Sequence, residues 1–169
     1  MAYEQWLEFT MDPLQIYGLM FLLGSYSVAT LSDLKRMSAQ SEFVSVWAII
    51  AISLFVIDVY LVGTDKMDMN MFIAKWILIV VFSILSHERV GVFFHLATGD
   101  VVAMMAAAAL LGPAGVIIFY ILVKIIDFLT APIWRSFGTE TAYPFMPVIF
   151  LTTLIVLGLA WVLSEQVVV

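Results

Sequence analysis

Residues 43–62 read FVSVWAIIAISLFVIDVYLV, a run whose one charged side chain is Asp58. At about 1.5 Å per residue, a helix of this length crosses the roughly 30 Å hydrocarbon core of a bilayer. The apolar residues are continuous, whereas a strand of a membrane barrel alternates polar and apolar at every second position. The stretch therefore reads as a membrane helix.

Five further apolar runs lie on either side of it: Leu14–Leu31, Met71–Ser86, Asp100–Leu111, Ala114–Leu129 and Pro144–Leu163. The run Asp100–Leu111 is too short to cross alone, so its helix either begins before Asp100 or is partly buried in protein. No tandem repeat, low-complexity tract or linker-like segment interrupts the series. The expected fold is all-α, about six transmembrane helices in one bundle, with residues 1–169 forming a single integral-membrane domain. Composition agrees: 64% of residues are hydrophobic and 12% charged, and the mean hydropathy is +1.11. A water-soluble domain is only about half apolar.

The same composition excludes several function classes. There is no cysteine, which removes disulfides, thiolate catalysis and zinc-thiolate sites. His87 and His95 are too few to build a metal centre unaided, and no metal or organic cofactor is expected. The net charge of −6 argues against nucleic acid, whose phosphates need a basic patch, and suits a basic partner segment. The stretch Met1–Pro13 carries Glu4, Glu8 and Asp12 and no basic residue, unlike the start of a cleavable signal peptide. The first apolar run is expected to remain as a helix.

Lysine and arginine set the expected orientation. Lys35, Arg36, Arg89 and Arg135 follow the first, third and fifth runs, with Lys124 inside the fifth, while Lys66 and Lys75 fall on the other side. By the positive-inside rule the first group is cytoplasmic and the N-terminus lies outside. Asp33, closing the first run, and Asp100, opening the fourth, then fall at the same cytoplasmic face. An aspartate at the centre of a membrane helix costs about 2.5–3.5 kcal/mol on insertion scales, so such residues mark functional sites by default. Two neighbouring carboxylates share a proton, which leaves one as base and the other as acid. The base takes a proton from water as it attacks a peptide carbonyl, and the acid protonates the departing amine.

Other acids have plainer expectations. Asp58 is expected at the interface or paired with a polar group, and Asp127 as an ion partner of Lys124 or Arg135. His95 reads as an interfacial hydrogen-bonding residue, Trp47, Trp76, Trp134 and Trp161 as interface belts, and the alanines from Ala103 to Ala109 as a close-packing helix face.

Three motifs carry a resemblance. Leu31-Ser32-Asp33-Leu34-Lys35-Arg36 resembles the first-aspartate motif of type IV prepilin peptidases and their archaeal preflagellin peptidase relatives. Ala97-Thr98-Gly99-Asp100 is similar to their GxGD motif, followed by an alanine-rich helix and Gly112-Pro113. Tyr143-Pro144-Phe145-Met146-Pro147 resembles the Pro-Phe-x-Pro element opening their last helix. The resemblance implies a membrane aspartyl endopeptidase with Asp33 and Asp100 catalytic and Ala97, Gly99, Pro144, Phe145 and Pro147 in support. The implied substrates are pilin- or flagellin-type precursors, whose short basic leader is cut at the cytoplasmic face. Glu42, Glu88 and Glu140 would attract that leader. The chain departs from the pattern in two places: Ala97 stands for the first glycine, which denies the backbone a ready positive φ, and Ala39-Gln40-Ser41 stands for a proline-containing turn. Lacking the cysteine-bearing insertion of bacterial members, it resembles the compact archaeal form, peptidase only. The second reading is a small transporter or assembly scaffold in which the same aspartates bind protons or a cation, though no inverted repeat accompanies it.

Overall fold

A computed structural model of the chain describes residues 11–36, 41–136 and 144–166. Among the described residues there are six helices and no strand: α1 (Pro13–Arg36), α2 (Ser41–Gly63), α3 (Met69–Ser86), α4 (Thr98–Ala109), α5 (Pro113–Arg135) and α6 (Met146–Gln166). Each expected run is a helix. Glu4, Glu8, Ala39, Gln40, Glu140 and Tyr143 lie outside the described residues.

Local chemistry sets where the helices begin. At α1 the Asp12 carboxylate accepts the Gln15 N–H at 2.8 Å and the Gln15 side chain accepts the Asp12 N–H at 2.9 Å, a reciprocal cap followed by Pro13 in the first turn. Asp68 caps α3 by accepting the N–H groups of Asn70 and Met71 at 2.7 and 3.2 Å. Gly112 precedes Pro113 at the start of α5, where the missing proline N–H costs nothing. Helix α5 runs on to Arg135, past the expected end at Leu129, with Pro132 tolerated in its final turn.

Four helices, α1, α2, α3 and α5, are long and apolar enough to cross a membrane. Their outward faces are apolar as well: Phe21, Ile52, Val56, Ile77, Ile121 and Phe128 are all exposed. A helix that is apolar all round belongs in lipid, and the molecule is a helical membrane bundle.

Helix α4 is the exception. Its 12 residues span about 18 Å, too little for a bilayer, and Ala106, Ala107, Ala108 and Ala109 are buried. It touches each of the other five helices. Small side chains permit this, because they let several backbones approach one axis. Against α1 the fit is close: Tyr26 Oη donates to the Ala103 carbonyl at 2.6 Å, and a Cβ at Gly18 would lie 2.7 Å from Leu110 Cδ2. Moving back along α1 from Tyr26 to Gly18 thus moves forward along α4 from Ala103 to Leu110. The two helices are antiparallel.

Two tryptophans expected in interface belts instead work inside the bundle. Trp47 is fully buried, edge-on to Tyr26 at 5.2 Å, with its indole N–H on Ser25 Oγ at 3.0 Å. Trp76 donates to Asp58 Oδ2 at 2.9 Å. Sequence periodicity cannot separate these roles, since an indole needs one polar partner in either place.

Asp58 is paired with a polar group, as expected: Lys75 Nζ lies 2.7 Å from its Oδ2, with both side chains almost wholly buried. Replacing one member strands a buried charge, which costs about 3–5 kcal/mol. Lys75→Met is therefore expected to lower the denaturant midpoint in detergent micelles sharply, and adding Asp58→Leu to recover most of the loss. Equal stability of the single and double variants would remove the pair from the account of the fold.

Candidate functional site

Asp33 lies in the last turn of α1, not beyond it, and is 6% exposed. Its Oδ2 accepts the N–H of Met146 at 3.1 Å, and the N–H of Phe145 also reaches this carboxyl. These are the opening donors of α6, whose first intrahelical bonds run from Val148 and Ile149 to the Phe145 carbonyl. The flanking residues explain why they converge. Pro144 and Pro147 have no N–H, so the two residues between them hold the only backbone donors of the tetrapeptide, and both turn to one carboxylate.

Asp100 occupies the first turn of α4, where an acid suits the positive end of the helix dipole. It is half-buried, and among the described residues its carboxyl has no hydrogen-bond partner. The antiparallel register set by Tyr26–Ala103 and Gly18–Leu110 brings the last turn of α1 past the start of α4, with Asp33 about 6–8 Å further along the axis than Asp100 at 1.5 Å per residue. Because helical side chains lean toward their own N-terminus, Asp33 tilts back into the bundle and Asp100 tilts out to meet it. The two carboxyl groups are close enough for the charge of Asp33 to act on Asp100. Thr30, one turn before Asp33 and so on the same face, has a buried hydroxyl with no hydrogen-bond partner among the described residues.

Ala97 caps α4 with φ −62° and ψ 155° and makes no side-chain bond. The position does not need a glycine here, so the alanine carries no strain. Gly99 sits between Thr98 and Asp100 in the first turn.

The segment joining α3 to α4 buttresses the site, a role with no motif in the sequence. Val92 and Phe93 N–H groups bond the Leu85 carbonyl, and Leu96 N–H bonds that of Ser86. Lys124 reaches across from α5 to the Phe93 carbonyl at 2.8 Å and lies over the Phe94 ring at 4.6 Å. Phe94 in turn packs edge-on against Phe145 at 5.5 Å. The loop thus holds the residue whose N–H reaches Asp33. Gly91 makes the tight bend possible: its φ is +60°, and a Cβ would collide with the His95 ring. His87 lies 3.3 Å from Thr98 Oγ1 at the mouth of α4, and Asp127 is buried in α5.

Two cavities open in the bundle. One is apolar and adjoins the start of α4, lined by Val80, Ile84, Val101 and Met105 with His87 and Arg89. The other is polar and lies at the far ends of α1 and α4.

The fold defines a polytopic helical membrane protein. No protein-family model, curated protein or solved structure matches this chain.

The two aspartates should differ in their effect on stability. Asp33→Ala leaves the opening N–H groups of α6 without an acceptor in a buried place, a loss of about 1–3 kcal/mol. Asp100→Ala removes no hydrogen bond and relieves a like-charge contact, so its thermal midpoint in detergent should equal or exceed that of the wild type. A larger loss at Asp100 than at Asp33 would contradict this assignment of partners.

Proposed function

We propose that the protein is a membrane aspartyl endopeptidase that removes a short basic leader from pilin- or flagellin-type precursors. The observation that carries this reading is the meeting of Asp33, Asp100 and the Pro144–Pro147 element at one end of the bundle, although they come from three distant parts of the chain.

The division of labour follows from the partners. Asp33 accepts the Met146 N–H on Oδ2 and is also reached by the Phe145 N–H, so its position is restrained. Asp100 has no such restraint and is the more accessible of the two. A water between them loses a proton to one carboxylate as its oxygen attacks the scissile carbonyl. The other carboxyl, protonated, gives its proton to the leaving nitrogen as the carbon–nitrogen bond breaks. The products are a carboxylic acid on the leader and a free amine on the mature chain. Charge supports the same substrate: Glu42 and Glu88 are exposed at this end, where they attract a basic leader while the apolar segment after the cut stays in lipid.

Asp33→Asn and Asp100→Asn should each lower cleavage of a leader-bearing precursor by at least about a thousandfold in liposomes, since Asn matches Asp in shape but exchanges no proton. Asp65→Asn, at an exposed turn with φ 55° that Asn tolerates, should leave the rate unchanged. Product masses from the reconstituted protein decide it. Cleavage that survives both dyad substitutions would contradict the reading, as would proton or cation flux without any peptide product.

Leader charge gives a second test. Replacing the leader lysines by alanine should slow cleavage severalfold at low salt and have little effect at high salt, because exposed ion pairs are weak and screened. A rate indifferent to leader charge at both salt levels would remove Glu42 and Glu88 from substrate capture.

A further inference from the structure

The polar cavity sits at the opposite end of the bundle from the aspartate pair. It has a volume of about 460 Å³, within the range of roughly 300–1,000 Å³ of small-molecule sites and far more than a bare ion fills. Its charged lining comes from Asp12, Asp58, Asp68, Lys66 and Lys75, against apolar walls that include Leu54, Leu110 and Pro113.

The buried pair in this lining is not saturated. Asp58 accepts both of its hydrogen bonds on Oδ2, from Lys75 and Trp76, and among the described residues its Oδ1 has no partner. The Lys75 ammonium has three hydrogens and spends one on Asp58. Each residue is about 95% buried, with 5% of its surface exposed. A carboxylate oxygen and ammonium hydrogens are thus left facing a space that the described residues do not fill.

Charge favours a cation in that space. Three carboxylates face two lysines, and Lys75 is largely neutralised by Asp58 at 2.7 Å. The C-terminal end of α4 borders the cavity through Ala109 and Leu110, and so do the starts of α1, α3 and α5, so the helix ends, of both signs, leave the balance to the side chains. The unspent Lys75 hydrogens and Lys66 call for an oxygen acceptor a short distance from the cationic group. We propose that this cavity binds a short amino alcohol, its ammonium on Asp12, Asp58 and Asp68 and its oxygen toward Lys75 and Lys66. The same chemistry is offered by free ethanolamine and by the headgroup of an amino-phospholipid. The inference stands apart from the peptidase reading and uses none of its residues.

The test uses the full chain in lipid nanodiscs. Ethanolamine is titrated calorimetrically into phosphatidylcholine discs, and discs of mixed phosphatidylethanolamine and phosphatidylcholine are examined by native mass spectrometry for retained lipid. Asp12→Asn/Asp68→Asn is the informative variant, because asparagine caps a helix as well as aspartate does while the charge is lost; circular dichroism checks that the helices persist. Saturable ethanolamine binding supports the site with a free amine as ligand. Selective retention of phosphatidylethanolamine without such binding supports it with lipid as the source. In either case the variant should bind about tenfold more weakly, as expected for two exposed charges. Absence of both forms of binding, unchanged binding by the folded variant, or displacement of ethanolamine by acetate would overturn the proposal.

Discussion

A carboxylate in the last turn of one helix accepts the first backbone donors of another, and the arrangement of the site depends on that contact. Asp33 takes the N–H of Met146 at 3.1 Å, where the start of a helix has donors that nothing inside the helix can satisfy. The two prolines around Phe145 and Met146 confine those donors to two adjacent residues, so one carboxyl group serves them. α1 is thereby fastened to α6. Phe94 and Lys124 reinforce the same corner from the α3–α4 segment and from α5.

The second constraint is the shortness of α4. A helix too short to cross lipid is stable here because the longer helices surround it, and its alanines let them come close. The consequence is electrostatic. Asp100 opens this short helix half-buried, close enough to Asp33 for the two charges to act on each other. At the other end of the bundle lie the polar cavity and the Asp58–Lys75 pair. The length of α4 separates them from the Asp33–Asp100 site.

Much of this was legible in the sequence. Long apolar runs mark helices with little ambiguity because lipid admits almost no other backbone, and all six helices formed where the runs lie. Alternation of direction through the bilayer brought Asp33 and Asp100 to one end before any geometry was known. For Asp58 the sequence indicates only an interfacial place or a polar partner; that the partner is Lys75 comes from the structure, where the short connection between α2 and α3 sets the two residues level across the hairpin. The donors to Asp33 were not legible, since a backbone N–H has no letter of its own; a dipeptide between two prolines was the available signal. Nor was the bracing by Phe94, which depends on how a loop closes around Gly91. Trp47 was misplaced at the interface because an indole near a helix start satisfies the same pattern inside a bundle as in a belt. At Ala97 the expected difficulty did not arise, since the backbone there has a negative φ.

The central claim is that Asp33 and Asp100 face each other in one site, and the absence of cysteine from the chain permits a direct measurement. An Asp33→Cys/Asp100→Cys variant contains only those two thiols, and a short bifunctional thiol reagent applied to the protein in liposomes should join them within one chain. The mass of the intact protein should rise by one bridged reagent, whereas Asp33→Cys/Thr64→Cys, with its second thiol exposed at the opposite end of the bundle, should take two separate labels. Two separate labels on the Asp33→Cys/Asp100→Cys protein, in a sample that retains its helicity, would contradict the shared site.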